Sequence, residues 1–323
     1  MTTFLPKIAL ALAALVAAPL AAHADYPEKP ITIVISAAPG GSPDILARII
    51  GKYLSQRVGQ PVIVENKPGG AGNIATEYVA NAAPDGYTLL GTSDSLSINQ
   101  TLFKELPFNA ETSFAPVIQA ISAPQVLAVN EDIPVSTLQE FLALAKSKPD
   151  ALSLASPAIG TTGQLGVLLL ENLTGIDVTP AVYKSAQPAL TDVLGKHADG
   201  IIVTLAPALP HIKSGKLKAL AVSPGERSAS LPDVPTFVEQ GVPEFNFTSW
   251  QGFVAPAGTP KEIVTRLNAE INAVIADPAA RAQLVEQAFE PVGGTPEELG
   301  KVISSGIAKW AEVIKANNIP AVN

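Results

Sequence analysis

The chain has 323 residues, 29 of them proline and none cysteine, with 21 basic against 29 acidic side chains and a formal charge of −8. The lack of cysteine excludes disulfides, thiolate metal sites and cysteine nucleophiles. The acidic balance argues against nucleic acid or an anionic membrane surface as partner, so an anionic ligand would have to be held by local groups rather than drawn in by the overall field.

Lys7 precedes an apolar stretch from Ile8 to Ala22, closed by Ala22-His23-Ala24. This order of charge, apolar core and small residues predicts a signal peptide cleaved after Ala24 and export to the periplasm. The stretch falls short of the roughly 18–20 apolar residues a membrane span needs, and Pro19 interrupts it. Cleavage would leave 299 residues (323 − 24), room for two domains of ordinary size.

Short β-branched runs then alternate with helical patterns: Ile31 to Ile35 before Asp44 to Arg57, Val62 to Val64 before Asn73 to Ala82, and Thr88 to Gly91 before Ser97 to Phe103. Such alternation predicts βαβ units and a mostly parallel sheet. A second series opens near Gln125, with strands at 126–129, 152–155, 178–182, 200–203 and 219–222 and helices from Thr137, Thr162 and Ala186. Trp250 falls in a further strand, and helices follow over Lys261 to Ile275, Arg281 to Ala288 and Pro296 to Asn317. Thr295 and Glu298 have the spacing of a capping box for the last of these. No repeat of fixed period is visible.

Two glycine-bearing loops each follow a strand and open a helix: Ala37 to Asp44, holding Ala38, Pro39, Gly40, Gly41 and Ser42, and Ser156 to Gln164, holding Ile159, Gly160, Thr161 and Thr162. The first amides of a helix have no intrahelical acceptor, and the helix dipole adds about half a positive charge there, so such a loop can hold a carboxylate without Lys or Arg. Ordinary capping explains either loop equally well when it is taken alone. Asp44, in the first turn, reads as a cap turned away from any ligand. Thr92 and Ser93 offer hydroxyls at a strand end in the same region.

Two rival patterns are present. Gly70-Ala71-Gly72-Asn73-Ile74-Ala75 fits the dinucleotide fingerprint with Asp94 about 20 residues on, but Glu65 to Pro68 separates it from its strand, and a tight turn into the next helix is the simpler reading. Gly91-Thr92-Ser93-Asp94-Ser95 lacks the last glycine of a nucleophile elbow, and His197 and His211 are the only histidines left after cleavage. No metal-ligand spacing or P-loop occurs, and no cofactor is expected.

Tyr26-Pro27-Glu28-Lys29-Pro30-Ile31, Pro39-Gly40-Gly41-Ser42-Pro43-Asp44, Val64 to Asn73 and Ala83-Pro84-Asp85-Gly86-Tyr87-Thr88-Leu89-Leu90, with Leu231 to Thr236 and Val254 to Pro260, resemble the Bug family across nearly the whole mature chain. These are the substrate-binding receptors of tripartite tricarboxylate transporters. The resemblance implies an α/β fold of two Rossmann-like lobes, as in type II periplasmic binding proteins, with a ligand cleft between them. Residues 25–124 and 246–323 would form one lobe and 125–245 the other. It further implies a carboxylate gripped by Gly40, Gly41 and Ser42 on one side and Gly160, Thr161 and Thr162 on the other, no enzymatic activity, and a monomer that hands its ligand to membrane subunits of a transporter. Two rival readings stand beside it: a sensor whose closed form docks on a receptor kinase, and an exported hydrolase using Ser93. Ser36, Ala37, Gln164 and Val203 depart from the family's usual residues, so a bulky or aromatic carboxylate or a dicarboxylate is expected, walled by Ile159 and Val203. Ala38, Pro39, Tyr183 and Gln164 complete the expected contacts.

Overall fold

The structure is a computed structural model that describes residues 26–149 and 151–322, so the segment read as a signal peptide lies outside the described residues. The first stretch of chain forms β1 (Ile31–Ile35), α1 (Ser42–Val58), β2 (Val62–Asn66), α2 (Asn73–Ala80), β3 (Thr88–Ser93), α3 (Ser95–Leu102) and β4 (Phe114–Ala123). The middle forms β5 (Gln125–Asn130), α4 (Leu138–Ser147), β6 (Ser153–Ser156), α5 (Thr162–Thr174), β7 (Thr179–Val182), α6 (Ala186–Leu194), β8 (Gly200–Thr204), α7 (Leu205–Lys213) and β9 (Leu217–Ser223). The last stretch forms β10 (Ser249–Pro256), α8 (Lys261–Ala276), α9 (Pro278–Glu286), β11 (Glu290–Pro291) and α10 (Pro296–Ala316).

These strands build two sheets, one in the order β11-β4-β10-β3-β1-β2 and one in the order β7-β6-β8-β5-β9. In the first, β1 runs parallel to β2 and β3, while β10 runs antiparallel to β3 and β4. In the second, β6 runs parallel to β7 and β8, while β5 runs antiparallel to β8 and β9. The order β2-β1-β3-β10-β4 therefore matches β7-β6-β8-β5-β9 strand for strand. The fold is a two-lobed α/β architecture, and its repeat lies in topology rather than in sequence. The chain passes from the first sheet to the second at Pro124 and returns through Phe247 and Thr248 into β10.

Helix α1 lays Leu46, Ala47, Ile50 and Leu54 on the first sheet, all buried at the spacing of one helical face. Helix α10 starts at the expected Thr295–Glu298 capping box. It then serves two cores: Leu299 and Ile303 pack with Val34, Leu90 and Trp250, whereas Trp310 and Ile314 pack with Leu165, Phe245 and Phe247. The Trp310 and Phe247 rings meet edge to face, 5.9 Å apart at 81°. Three elements depart from the sequence reading, one of them the two-residue β11, which has no counterpart there. Strand β4 was not expected, because Pro116 and Gln119 break the alternation of a strand, and α9 starts at Pro278, where Asp277 caps the Ala279 and Ala280 amides.

Candidate ligand-binding cleft

A cleft of about 990 Å³ opens between the two sheets, and the starts of α1 and α5 both face it. At both starts the glycine loop bends the chain so that helix amides point outward. Gly40 (φ +80°) and Gly160 (φ +73°) occupy the left-handed region that such a bend requires. The amides of Ser42, Thr162 and Gly163 find no acceptor among the described residues, as expected for the first turn of a helix.

Asp44 does not enter the cleft. Its carboxylate accepts the Gly40 N–H at 2.9 Å, the Arg48 Nε–H at 3.0 Å and the Asn66 Nδ2–H at 2.9 Å. Burial alone would raise its pKa, but those three hydrogen bonds and the Arg48 charge outweigh it and hold the carboxyl below its ordinary range. The Gly40 amide is thus consumed in fixing the loop and is withheld from any ligand.

Of the residues singled out in the sequence, Ala38, Gly41, Ser42, Ser93, Ile159, Thr161, Thr162 and Tyr183 line the cleft. The Thr161 hydroxyl is already spent, donating to the Ala158 carbonyl at 2.7 Å. Tyr183 donates to Asp192 Oδ2 at 2.7 Å, and burial together with the Asp192 carboxylate pushes its phenol up to about 12.

Pro39, Gly40 and Gly160 belong to the same two loops but lie behind the lining. There the two glycines meet the opposite lobe: the Gln187 Nε2–H from α6 donates to the Gly40 carbonyl at 3.0 Å, and Asn99 on α3 abuts Gly160, while Pro39 is exposed. The lobes are therefore closed on each other.

Three of the expected contacts lie elsewhere. Thr92 is buried where it pairs with Gly252, and Val203 is fully buried in a core with Val126 and Leu205 rather than forming a cleft wall. The cause is strand parity: successive side chains point to opposite faces, so Ser93 and Thr204 reach the cleft and their predecessors do not. Gln164 sits beyond the first residues of α5, off the lining, with its N–H on Thr161 Oγ1.

Several residues that line the cleft were not found in the sequence. The Gly69–Gly72 turn, read only as a bend into α2, forms part of the wall. Gln125 and Gln251 sit at the cleft floor, fully or almost fully buried. Among the described residues Lys184 is the only charged residue of the lining, it is exposed, and no carboxylate pairs with it there. Among the described residues no histidine lines the cleft, so Ser93, whose Oγ stands 3.2 Å from that of Ser95, has no histidine base beside it there.

Comparison with known proteins agrees with this architecture. Residues 46–319 match the model of the tripartite tricarboxylate transporter family receptor, TctC. BugT of Bordetella pertussis is 35% identical over 318 residues, 98% of this chain and 97% of that protein. Among solved structures, the periplasmic binding protein BugD is 33% identical with a TM-score of 0.88, covering 91% of this chain and 99% of that one. An R. palustris protein determined with adipate is 33% identical with a TM-score of 0.90, covering 92% and 100%. MatC of Rhodopseudomonas palustris, determined with bound malate, is 31% identical with a TM-score of 0.85, covering 90% and 100%. By family model, by relatives and by fold, this chain belongs to the tripartite tricarboxylate transporter receptors, as a Bug-type periplasmic solute-binding protein and not an enzyme.

Proposed function

We propose that the protein captures a small dicarboxylate in this cleft by closure of two lobes, residues 25–124 with 246–323 and residues 125–245, and delivers it to the membrane subunits of a tripartite tricarboxylate transporter. The observation that carries the reading is that two helix starts with unpaired amides face one cleft from opposite lobes. Each concentrates partial positive charge where a carboxylate would sit. A ligand touching both stabilises the closed form through contacts that an open form lacks.

The second carboxylate follows from Lys184, the lone cation among the described residues of the lining, which also includes the apolar Phe103, Ile159 and Val182. Among the described residues no acidic side chain lines the cleft to receive a ligand ammonium, which disfavours amino acids. The relatives determined with adipate and with malate are consistent with this class. Export with cleavage after Ala24 and action as a monomer complete the proposal.

A thermal-shift panel of malate, adipate, benzoate, alanine and glutamate tests the ligand class. A dicarboxylate at 100 times its dissociation constant is expected to stabilise the protein by about 2.7 kcal/mol, whereas the amino acids leave it unchanged. Saturable stabilisation by alanine or glutamate with none by the other acids would sink the reading. Because Lys184 is exposed, Lys184→Met should weaken the dicarboxylate only a few-fold and leave benzoate unaffected. Uptake of the radiolabelled acid by cells, lost on deletion of this protein and restored with it, checks delivery.

A further inference from the structure

The topological repeat brings matching chemistry to the cleft. In the first lobe, Gln251 on β10 stands opposite Ser93 on β3, and its Nε2–H donates to Ser42 Oγ at the start of α1 at 2.5 Å. In the second, Gln125 on β5 stands opposite Thr204 on β8, and its Nε2–H donates to Thr162 Oγ1 at the start of α5 at 3.2 Å. All six residues line the cleft. Gln125 and Gln251 are 0% and 1% exposed, and the Oε1 of each has no partner. A buried polar atom without a partner is costly, and here the same atom is left unpaired at the same place in both lobes.

A serine or threonine hydroxyl has one hydrogen and two lone pairs. Left to itself it commonly spends that hydrogen on a nearby backbone carbonyl, as Thr161 does on Ala158. A hydroxyl oxygen that accepts from a glutamine keeps its hydrogen for something else. Beside an unpaired helix-start amide, that something is an anionic oxygen.

We infer that Gln251 and Gln125 are positioning residues that turn the Ser42 and Thr162 hydroxyls into matched donors for the ligand's anionic oxygens, one from each lobe. The inference rests on the carboxylate reading above and adds what selects the anion: two hydroxyl donors held in place, beside backbone amides. Each Oε1, an acceptor lying next to the bound anion, must be met by a donor that is not the carboxylate, such as a water or a ligand hydroxyl.

Replacing each glutamine by glutamate gives a test with its own signature. Ionised, Gln251→Glu or Gln125→Glu takes the hydroxyl's hydrogen and adds a negative charge. Protonated, its O–H donates to the hydroxyl as the amide N–H did. Calorimetry with the member of the panel that binds the wild type most tightly should show each variant about tenfold or more weaker than wild type at pH 8. The ratio to wild type should close as pH falls to 5. Equal affinity at both pH values, or a loss that does not change with pH, overturns the inference.

Should a buried glutamate prevent folding, Gln251→Leu and Gln125→Leu decide: affinity several-fold lower supports the inference and unchanged affinity overturns it. A folded wild type that responds to none of the acids overturns the carboxylate reading and this inference together, whereas a responsive wild type with indifferent variants overturns the inference alone.

Discussion

Gly160→Ala is expected to lower ligand affinity about a hundredfold, roughly 2.7 kcal/mol, while costing the unliganded protein only about 1–2 kcal/mol. The smaller cost is local: at φ +73° any Cβ crowds its own backbone. The larger one belongs to the closed form, where the new Cβ would stand 3.2 Å from Asn99 Cγ and overlap Asn99 Oδ1 across the cleft. Asn99 cannot easily yield, because its Nδ2 is tied to the Ala71 carbonyl at 3.1 Å and to Asn73 Oδ1 at 2.7 Å.

Gly175→Ala is the control. That glycine has φ +66° with nothing within 4 Å of its Cβ position, so it bears the backbone cost without the clash. Calorimetric titration should find Gly175→Ala binding like wild type and Gly160→Ala binding poorly, with Asn99→Ala restoring much of the loss in the double variant. If the two glycine variants bind alike, the Asn99–Gly160 contact has no part in closure.

The two helix-start loops were legible in the sequence because glycine and a helix-start hydroxyl are local signals, and each loop follows a short strand, β-branched in β1 and SLAS in β6. So was the α/β alternation of the first lobe, where β1 and β3 fall on the runs read as strands and the α1 face keeps its helical period. What was not legible depends on register. Gln251 lies in β10, where all eight residues are buried, and nothing in such a run tells which side chain points along the core and which reaches the cleft floor.

The same blindness placed Val203 on the cleft wall and left out Thr204, one residue and therefore one face away. The topological repeat was hidden for a related reason: β10 in one lobe and β5 in the other are equivalent in space, yet one follows its parallel strands in the chain and the other precedes them. Lys184 was missed because an exposed lysine beside a strand end is ordinary until the opposite wall of the cleft is known.

Stability should fall as pH rises through neutrality, and Asp94 should be the main cause. Its carboxylate sits buried at the start of α3, accepting the Ser249 Oγ–H and, at 3.3 Å, the Trp250 N–H from β10. It thereby ties α3 to the strand by which the chain re-enters the first lobe. Burial is the largest influence and pushes its pKa up to about 7, with Ser249, Trp250 and the Lys309 charge pulling the other way.

A carboxyl with a folded pKa of about 7, against 3.8 in the unfolded chain, takes up a proton on folding between those values. Its stabilising contribution is then fully present at low pH and is lost as pH rises through about 7. The span corresponds to a change on the order of 4 kcal/mol.

Asp94→Asn keeps the shape, retains an acceptor for the Trp250 N–H and can donate to Ser249, but it does not titrate. Wild-type stability in urea, measured relative to Asp94→Asn at each pH so that the other titrating groups cancel, should drop steeply between pH 5 and pH 8. A constant difference across that range would mean that Asp94 stays ionised in the folded protein and that its hydrogen bonds outweigh its burial.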